Sequence, residues 1–119
     1  MKVLVCEDDV VVLKVIQVAL ESEHADVTCV TDGTKALELL SQNTFDLIIT
    51  DIHMPHHNGD EVLNLVREKQ KKNTPIIMIS SDTEEEVIAM ALKLGVNEFV
   101  KKPIDANVLK KKLKKFLIA

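Results

Sequence analysis

Met1-Lys2-Val3-Leu4-Val5-Cys6-Glu7-Asp8-Asp9 opens the chain, and the abrupt change within it, from an unbroken apolar run to three acids, sets the fold. Two later segments change in the same way. Leu47-Ile48-Ile49-Thr50 runs into Asp51, and Glu98-Phe99-Val100 runs into Lys101-Lys102-Pro103. Short apolar stretches separated by helix-length segments predict buried strands of a parallel sheet. In such sheets ligands bind in the crevice beyond the carboxyl ends of the strands. The three runs therefore deliver at least three carboxylates and an ammonium group to one small volume.

Like charges so close are costly unless a cation and an anion are meant to sit among them. Magnesium wants oxygen ligands and is usually held by one or two carboxylates plus a phosphate. Glu7, Asp8 and Asp51 offer that environment, which points to a magnesium-dependent phosphoryl site. Helix capping and loop solvation could account for Asp9 but not for the whole set. Lys102 precedes Pro103, which restrains its backbone to extended conformations and so aims its ammonium group. Ser80-Ser81 follow the apolar Ile76-Ile77-Met78-Ile79. A hydroxyl there could bond a phosphoryl oxygen, although Ser at a strand end is often turn chemistry.

The 119 residues, 46% of them hydrophobic, suffice for one domain, spanning 1–119, with a normal core. The net charge of −4 hides an asymmetry: residues 1–60 carry 3 Lys against 11 acids, and residues 61–119 carry 12 Lys and Arg against 8 acids. Solvated helix faces of different charge explain this simply. Cys6 and Cys29 lie in apolar strand-like segments, as buried free thiols suited to a reducing cytosol. No apolar run approaches a membrane span, and the first run is too short for a signal-peptide core. A cytoplasmic protein without membrane contact is expected.

Strands are predicted near 2–6, 27–30, 46–50, 75–79 and 97–100, alternating with helices in a doubly wound α/β sheet. Asn58 with Glu61, and Thr83 with Glu86, stand at capping-box spacing. Asp105 caps the last helix, with Ile104 and Leu109 placed as a hydrophobic staple. Leu109, Leu113, Phe116 and Leu117 recur at helical spacing and should face the sheet. Gly95 supplies the left-handed residue that ends the fourth helix. The lysines at 110–112, 114 and 115 suit a solvated face that complements the helix C-terminus. With no Trp or Tyr there is no stacking platform, so direct nucleic-acid binding is not expected.

At these residues the chain resembles the receiver domain of two-component response regulators over essentially its full length. The match rests on Glu7-Asp8, Asp51-Ile52-His53-Met54-Pro55 with Gly59, Ser80, and Phe99 followed by Lys102-Pro103. The resemblance implies a flavodoxin-like (βα)5 fold with strand order 2-1-3-4-5. It implies Asp51 as phosphoacceptor, charged by a histidine kinase or histidine phosphotransfer protein, in a protein that catalyses only its own phosphorylation and dephosphorylation. Asp8, Asp51 and the His53 carbonyl would bind Mg2+ directly, with Glu7 acting through water and Mn2+ able to substitute. Lys102 would pair with the phosphoryl group, Ser80 would close onto it, and Phe99 would swing inward as the switch aromatic. An output partner or domain follows from the same resemblance, as does the option of a phosphorylation-dependent dimer.

His53 is not the commonest occupant of its position. It either tunes the lifetime of the phosphoryl group, with Asp82 approaching from the facing loop, or points to solvent and offers only its carbonyl. His53, His56 and His57 crowd one loop; a transition-metal site is conceivable, and ordinary surface histidines are the simpler reading. An aspartyl-phosphate hydrolase of the haloacid dehalogenase type is the enzymatic rival. That family normally has a second Asp two residues after the nucleophile, where His53 stands here. A nucleotide-binding flavodoxin-like module would want a Gly-rich phosphate loop after the first strand, and none is present.

Overall fold

Five parallel strands form a single sheet in the order β2-β1-β3-β4-β5. They are β1 (Lys2–Cys6), β2 (Asp26–Val30), β3 (Leu47–Asp51), β4 (Ile76–Ser80) and β5 (Glu98–Lys101). Between and after them run α1 (Val10–Glu21), α2 (Gly33–Gln42), α3 (Gly59–Asn64), α4 (Glu85–Lys93) and α5 (Ala106–Leu113). This computed structural model describes residues 1–54, 56, 59–81 and 85–116, without the side chains at 85 and 87. The expected flavodoxin-like fold and strand order are those observed, with strand limits displaced by one residue at most ends. Asp51 and Ser80 belong to their strands, because the parallel ladders continue through Asp51 beside Ile79 and Ser80 beside Lys101.

The strands are apolar throughout because helices cover both faces of the sheet. Leu4, Cys6, Ile48, Ile76, Met78 and Phe99 face α2, α3 and α4. Val3, Val5, Leu47, Ile49, Ile77 and Val100 face α1 and α5, whose Ile16, Leu20, Leu109 and Leu113 complete that layer. Burying each such side chain contributes about 1.5–3 kcal/mol. Cys6 and Cys29 are both free, and they lie in opposite layers, since Cys29 pairs in register with Val5. Cys29 is only half-buried, contrary to expectation, because β2 is an edge strand. Burial pushes the Cys6 thiol up to about 12, against a hydrogen bond with Thr50.

Helix ends follow local chemistry. Asp105 accepts from the backbone of Asn107 (2.8 Å) and Val108 (3.2 Å), and Ile104 and Leu109 share one apolar layer. Asp9 caps α1 in the same way, through Val11 and Val12. Gly95 has φ +110°, the left-handed conformation that ends a helix at least cost to Gly. The expected caps at Asn58 and Thr83, and Leu117 of the last helix, lie outside the described residues. A π-helical turn, Leu65–Lys69, extends α3. Its Arg67 bonds the carbonyls of Gly95 and Lys72 and the side chain of Asn97.

Candidate functional site

The first residue after β1, the last residues of β3 and β4, and the residue after β5 converge at the carboxyl edge of the sheet. They bring Glu7, Asp51, Ser80 and Lys102 together. Glu7, Asp51 and Ser80 are buried although polar. The Lys102 ammonium group donates to Glu7 Oε1 and to Asp51 Oδ2, each at 2.6 Å, with its side chain only 20% exposed. The Lys102 backbone N–H donates to the Ser80 carbonyl at 2.9 Å, so the β4–β5 ladder carries the lysine to the site. The other oxygen of the acceptor candidate, Asp51 Oδ1, receives the His53 N–H at 3.1 Å.

One ligand oxygen each from Glu7, Asp8 and Asp51 lies within 4.8 Å of the others. Glu7 Oε2 is buried with no hydrogen-bond partner among the described residues. A buried acceptor without a donor is costly, and a hard cation between such oxygens would satisfy it. The donor set therefore fits a magnesium-like ion. Asp9 is spent on the α1 cap. The His53 side chain is exposed, and Asp82 and His57 lie outside the described residues. The Phe99 ring, 7% exposed, packs in the α2–α4 layer with Met78, Ala91 and Val96.

Charge in this cleft is unevenly shared. Burial, then the neighbouring Asp51 carboxylate, pushes the Glu7 carboxyl up to about 8 despite Lys102. Burial works upward on Asp51 as well, but the neighbouring Glu7 carboxyl, the bond from Lys102 and the His53 N–H hold it below the ordinary carboxylate range. Asp51 is thus the more acidic of the two carboxyls and Glu7 the more basic. A raised folded-state value means stability present below the unfolded value and lost as pH rises through the folded one. For Glu7 that loss runs from the ordinary 4.5 to about 8. For Asp51 the sign reverses: its contribution is present above 3.8 and disappears as pH falls. The metal-free protein is expected to lose stability from this pair between pH 4.5 and 8, and Glu7→Gln should flatten that slope. Urea midpoints across the range, in chelator, measure it; an equal slope in both proteins rejects the assignment.

Three features were not legible beforehand. Thr50, fully buried, donates to the Asp51 carbonyl at 3.0 Å. Lys112 donates to the Phe99 carbonyl at 2.8 Å and lies 3.5 Å from Glu98, which Lys115 also pairs; the lysines of α5 are therefore not a purely solvated face. Asp32 accepts from Thr34 N–H at 2.6 Å and from the His56 ring. Asp32 immediately before the helical Gly33-Thr34-Lys35-Ala36 run was the available signal for that cap.

The family model described as the response regulator receiver domain matches residues 3–114. The chemotaxis protein CheY of Pseudomonas aeruginosa is 34% identical over 117 residues, covering 97% of this chain and 94% of CheY. The receiver domain of the Francisella response regulator 1452 superposes with a TM-score of 0.89 at 33% identity, over 98% of this chain and 95% of that one. The receiver domain of a sensor histidine kinase from Pseudomonas aeruginosa has a magnesium ion coordinated in its active-site cleft. It superposes with a TM-score of 0.83 at 26% identity, covering 98% and 96% of the two chains. The family match spans nearly the whole sheet and its acidic edge, and on it the chain belongs to the response regulator receiver domain family of two-component signalling.

Proposed function

We propose that the protein accepts a phosphoryl group on Asp51, from a histidine kinase or histidine phosphotransfer protein, in a magnesium-dependent reaction. Receiver domains bind magnesium at an acidic site and interact with histidine kinases and output domains. The observation that carries the reading for this chain is the Lys102 ammonium group held between Glu7 and Asp51 at 2.6 Å. Asp8, Asp51 and the His53 carbonyl would hold the metal, with Glu7 acting through water. When bound, the metal would neutralise charge on the phosphoryl oxygens.

The protein's own part is positioning and electrostatics, which is most of what phosphoryl transfer requires. The His53 N–H and Lys102 fix both oxygens of the Asp51 carboxylate, leaving one orientation toward an incoming donor. Burial excludes water from the side facing the sheet. After transfer, Lys102 and the Ser80 hydroxyl would bond the new phosphoryl oxygens, so that the phosphorylated state has contacts the other lacks. Such differential bonding shifts a two-state equilibrium, here coupled outward through Phe99, β5 and α4. The reading extends to a single cytoplasmic receiver domain over 1–119, able to use Mn2+ and to dimerise when phosphorylated. It includes no direct binding to nucleic acid or membrane.

Acetyl phosphate with magnesium tests the reading by intact mass. One phosphoryl group per chain is expected, placed at Asp51 by reductive trapping and peptide mapping, and none in chelator. Steady turnover of a phosphate ester without a labelled chain would favour the aspartyl-phosphate hydrolase instead.

A further inference from the structure

The loop that leaves Asp51 is closed on itself at its base. Among the described residues, the His53 N–H on the Asp51 carboxylate is one tether and the Gly59 N–H on the Ile52 carbonyl, at 2.8 Å, is another. Between them His56 reaches a different part of the sheet. Its ring Nδ1 bonds Asp32 Oδ2, at the start of α2. An ionised carboxylate only accepts, so Nδ1 carries the proton.

Two observations distinguish this contact from a chance surface pair. His56 adopts φ +69°, a left-handed conformation uncommon for a residue with a side chain. Its side chain is 71% exposed, so burial does not impose that conformation. Asp32 in turn uses both oxygens, Oδ1 on the Thr34 N–H at 2.6 Å and Oδ2 on the imidazole, and the bond to His56 holds its carboxyl below the ordinary range.

Topology gives the contact its consequence. Asp32 lies just beyond β2 and His56 beyond β3, while β1 runs between those strands. The two outer strands are about 10 Å apart, two ladder spacings. The pair therefore spans the carboxyl end of β1, where Glu7 and Asp8 stand, on the side covered by α2 and α3.

We propose that Asp32 and His56 form a strap that holds the backbone at His56 and so presents the nearby His53 carbonyl to a divalent cation at the acidic cleft. The proposal rests on the reading of Glu7, Asp8 and Asp51 as a metal site. Without the strap the backbone at His56 gains freedom, and binding must then order it. Both are positioning residues, with no contact to the metal.

Calorimetric titration with magnesium chloride tests the strap in four variants. Asp32→Ser keeps an N-cap for α2 but is too short to serve the imidazole as well. His56→Gly accepts the left-handed backbone and removes the ring. His56→Asn also tolerates that backbone and places an amide nitrogen the same number of bonds from the main chain as Nδ1. Asp32→Ser and His56→Gly should each weaken magnesium binding about tenfold, the lower end for residues that orient a ligand from outside. The double variant should be no weaker than either, and His56→Asn should bind like wild type. Metal-free urea midpoints report a merely structural role, which would lower stability and leave affinity alone. The His53 amide resonance should show reduced response to magnesium in the two weakened variants. Unchanged affinity in Asp32→Ser or His56→Gly, or losses that multiply in the double variant, overturns the strap while the metal site stands. Absence of magnesium binding in wild type removes both. Should His56→Gly fail to fold, Asp32→Ser decides.

Discussion

Asp51→Asn is expected to abolish phosphoryl acceptance while the protein stays folded. The amide matches the carboxylate in shape, and its oxygen can still take the His53 N–H that Asp51 Oδ1 receives at 3.1 Å. What it lacks is charge and nucleophilicity. With its oxygen so placed, the amide turns its NH2 group, a donor, toward Lys102, which keeps only Glu7 as a partner. Glu7 loses the neighbour that, after burial, does most to raise its carboxyl, so the remaining pair is better matched in charge. The relieved repulsion offsets only part of the lost ion pair and of the mispaired donor, and a loss of about 1–3 kcal/mol is expected, which leaves the protein folded. Intact mass after incubation with acetyl phosphate and magnesium should show one added phosphoryl group in wild type and none in the variant. Labelling of Asp51→Asn at the wild-type level would move the acceptor to another residue and end the present reading.

Gly59→Ala should be the most damaging single-carbon change near the site. A Cβ at Gly59 would stand 2.5 Å from the Asp51 carbonyl oxygen and 3.1 Å from Ile52 Cα. Both are main-chain atoms of the strand end that carries Asp51, so neither can rotate away. The Met78 methyl group, at 3.2 Å, closes the remaining direction. Either α3 retreats or the end of β3 shifts. Overpacking of this kind costs typically about 1–3 kcal/mol, and a helix-propensity gain of at most about 1 kcal/mol on replacing Gly offsets part of it. A net loss of about 2 kcal/mol is expected in urea unfolding. The kinetic effect should be larger, since a displacement approaching 1 Å can cost about a hundredfold in rate. Labelling by acetyl phosphate, followed in time under conditions where the variant is fully folded, measures it. Wild-type stability together with wild-type labelling would show that the contact at Gly59 is not limiting.

The two variants bear on different levels of the same arrangement. Asp51→Asn alters chemistry at an unchanged position; Gly59→Ala alters position with the chemistry intact. A slow but complete reaction in Gly59→Ala beside none in Asp51→Asn would separate them. The strap between Asp32 and His56 acts on neither atom of transfer, and its effect should appear first in metal affinity.

The sequence by itself determined the covered parallel sheet and the edge at which chemistry collects, while the strand order followed from the family resemblance. Apolar runs such as Val3–Cys6 and Leu47–Thr50, buried on both faces, have few alternatives to a covered parallel sheet. Their abrupt ends place Glu7, Asp51 and Lys102 at one rim by strand polarity alone. Caps that depend on neighbours in the chain, at Asp9 and Asp105, were legible for the same reason: the partners lie two and three residues away. Tertiary structure decided what contacts what across the rim. Lys102 bonds Glu7 and Asp51 over separations of 95 and 51 residues, and no local pattern specifies that one ammonium group serves both. The uneven proton affinity of the two acids follows from that contact and from burial. The Gly59 approach, the Thr50 hydroxyl on the Asp51 carbonyl and the Asp32–His56 bond likewise arise only once separate loops are laid side by side. Periodicity and propensity report a residue's own element and facing layer, whereas distances between loop atoms depend on how every layer packs together.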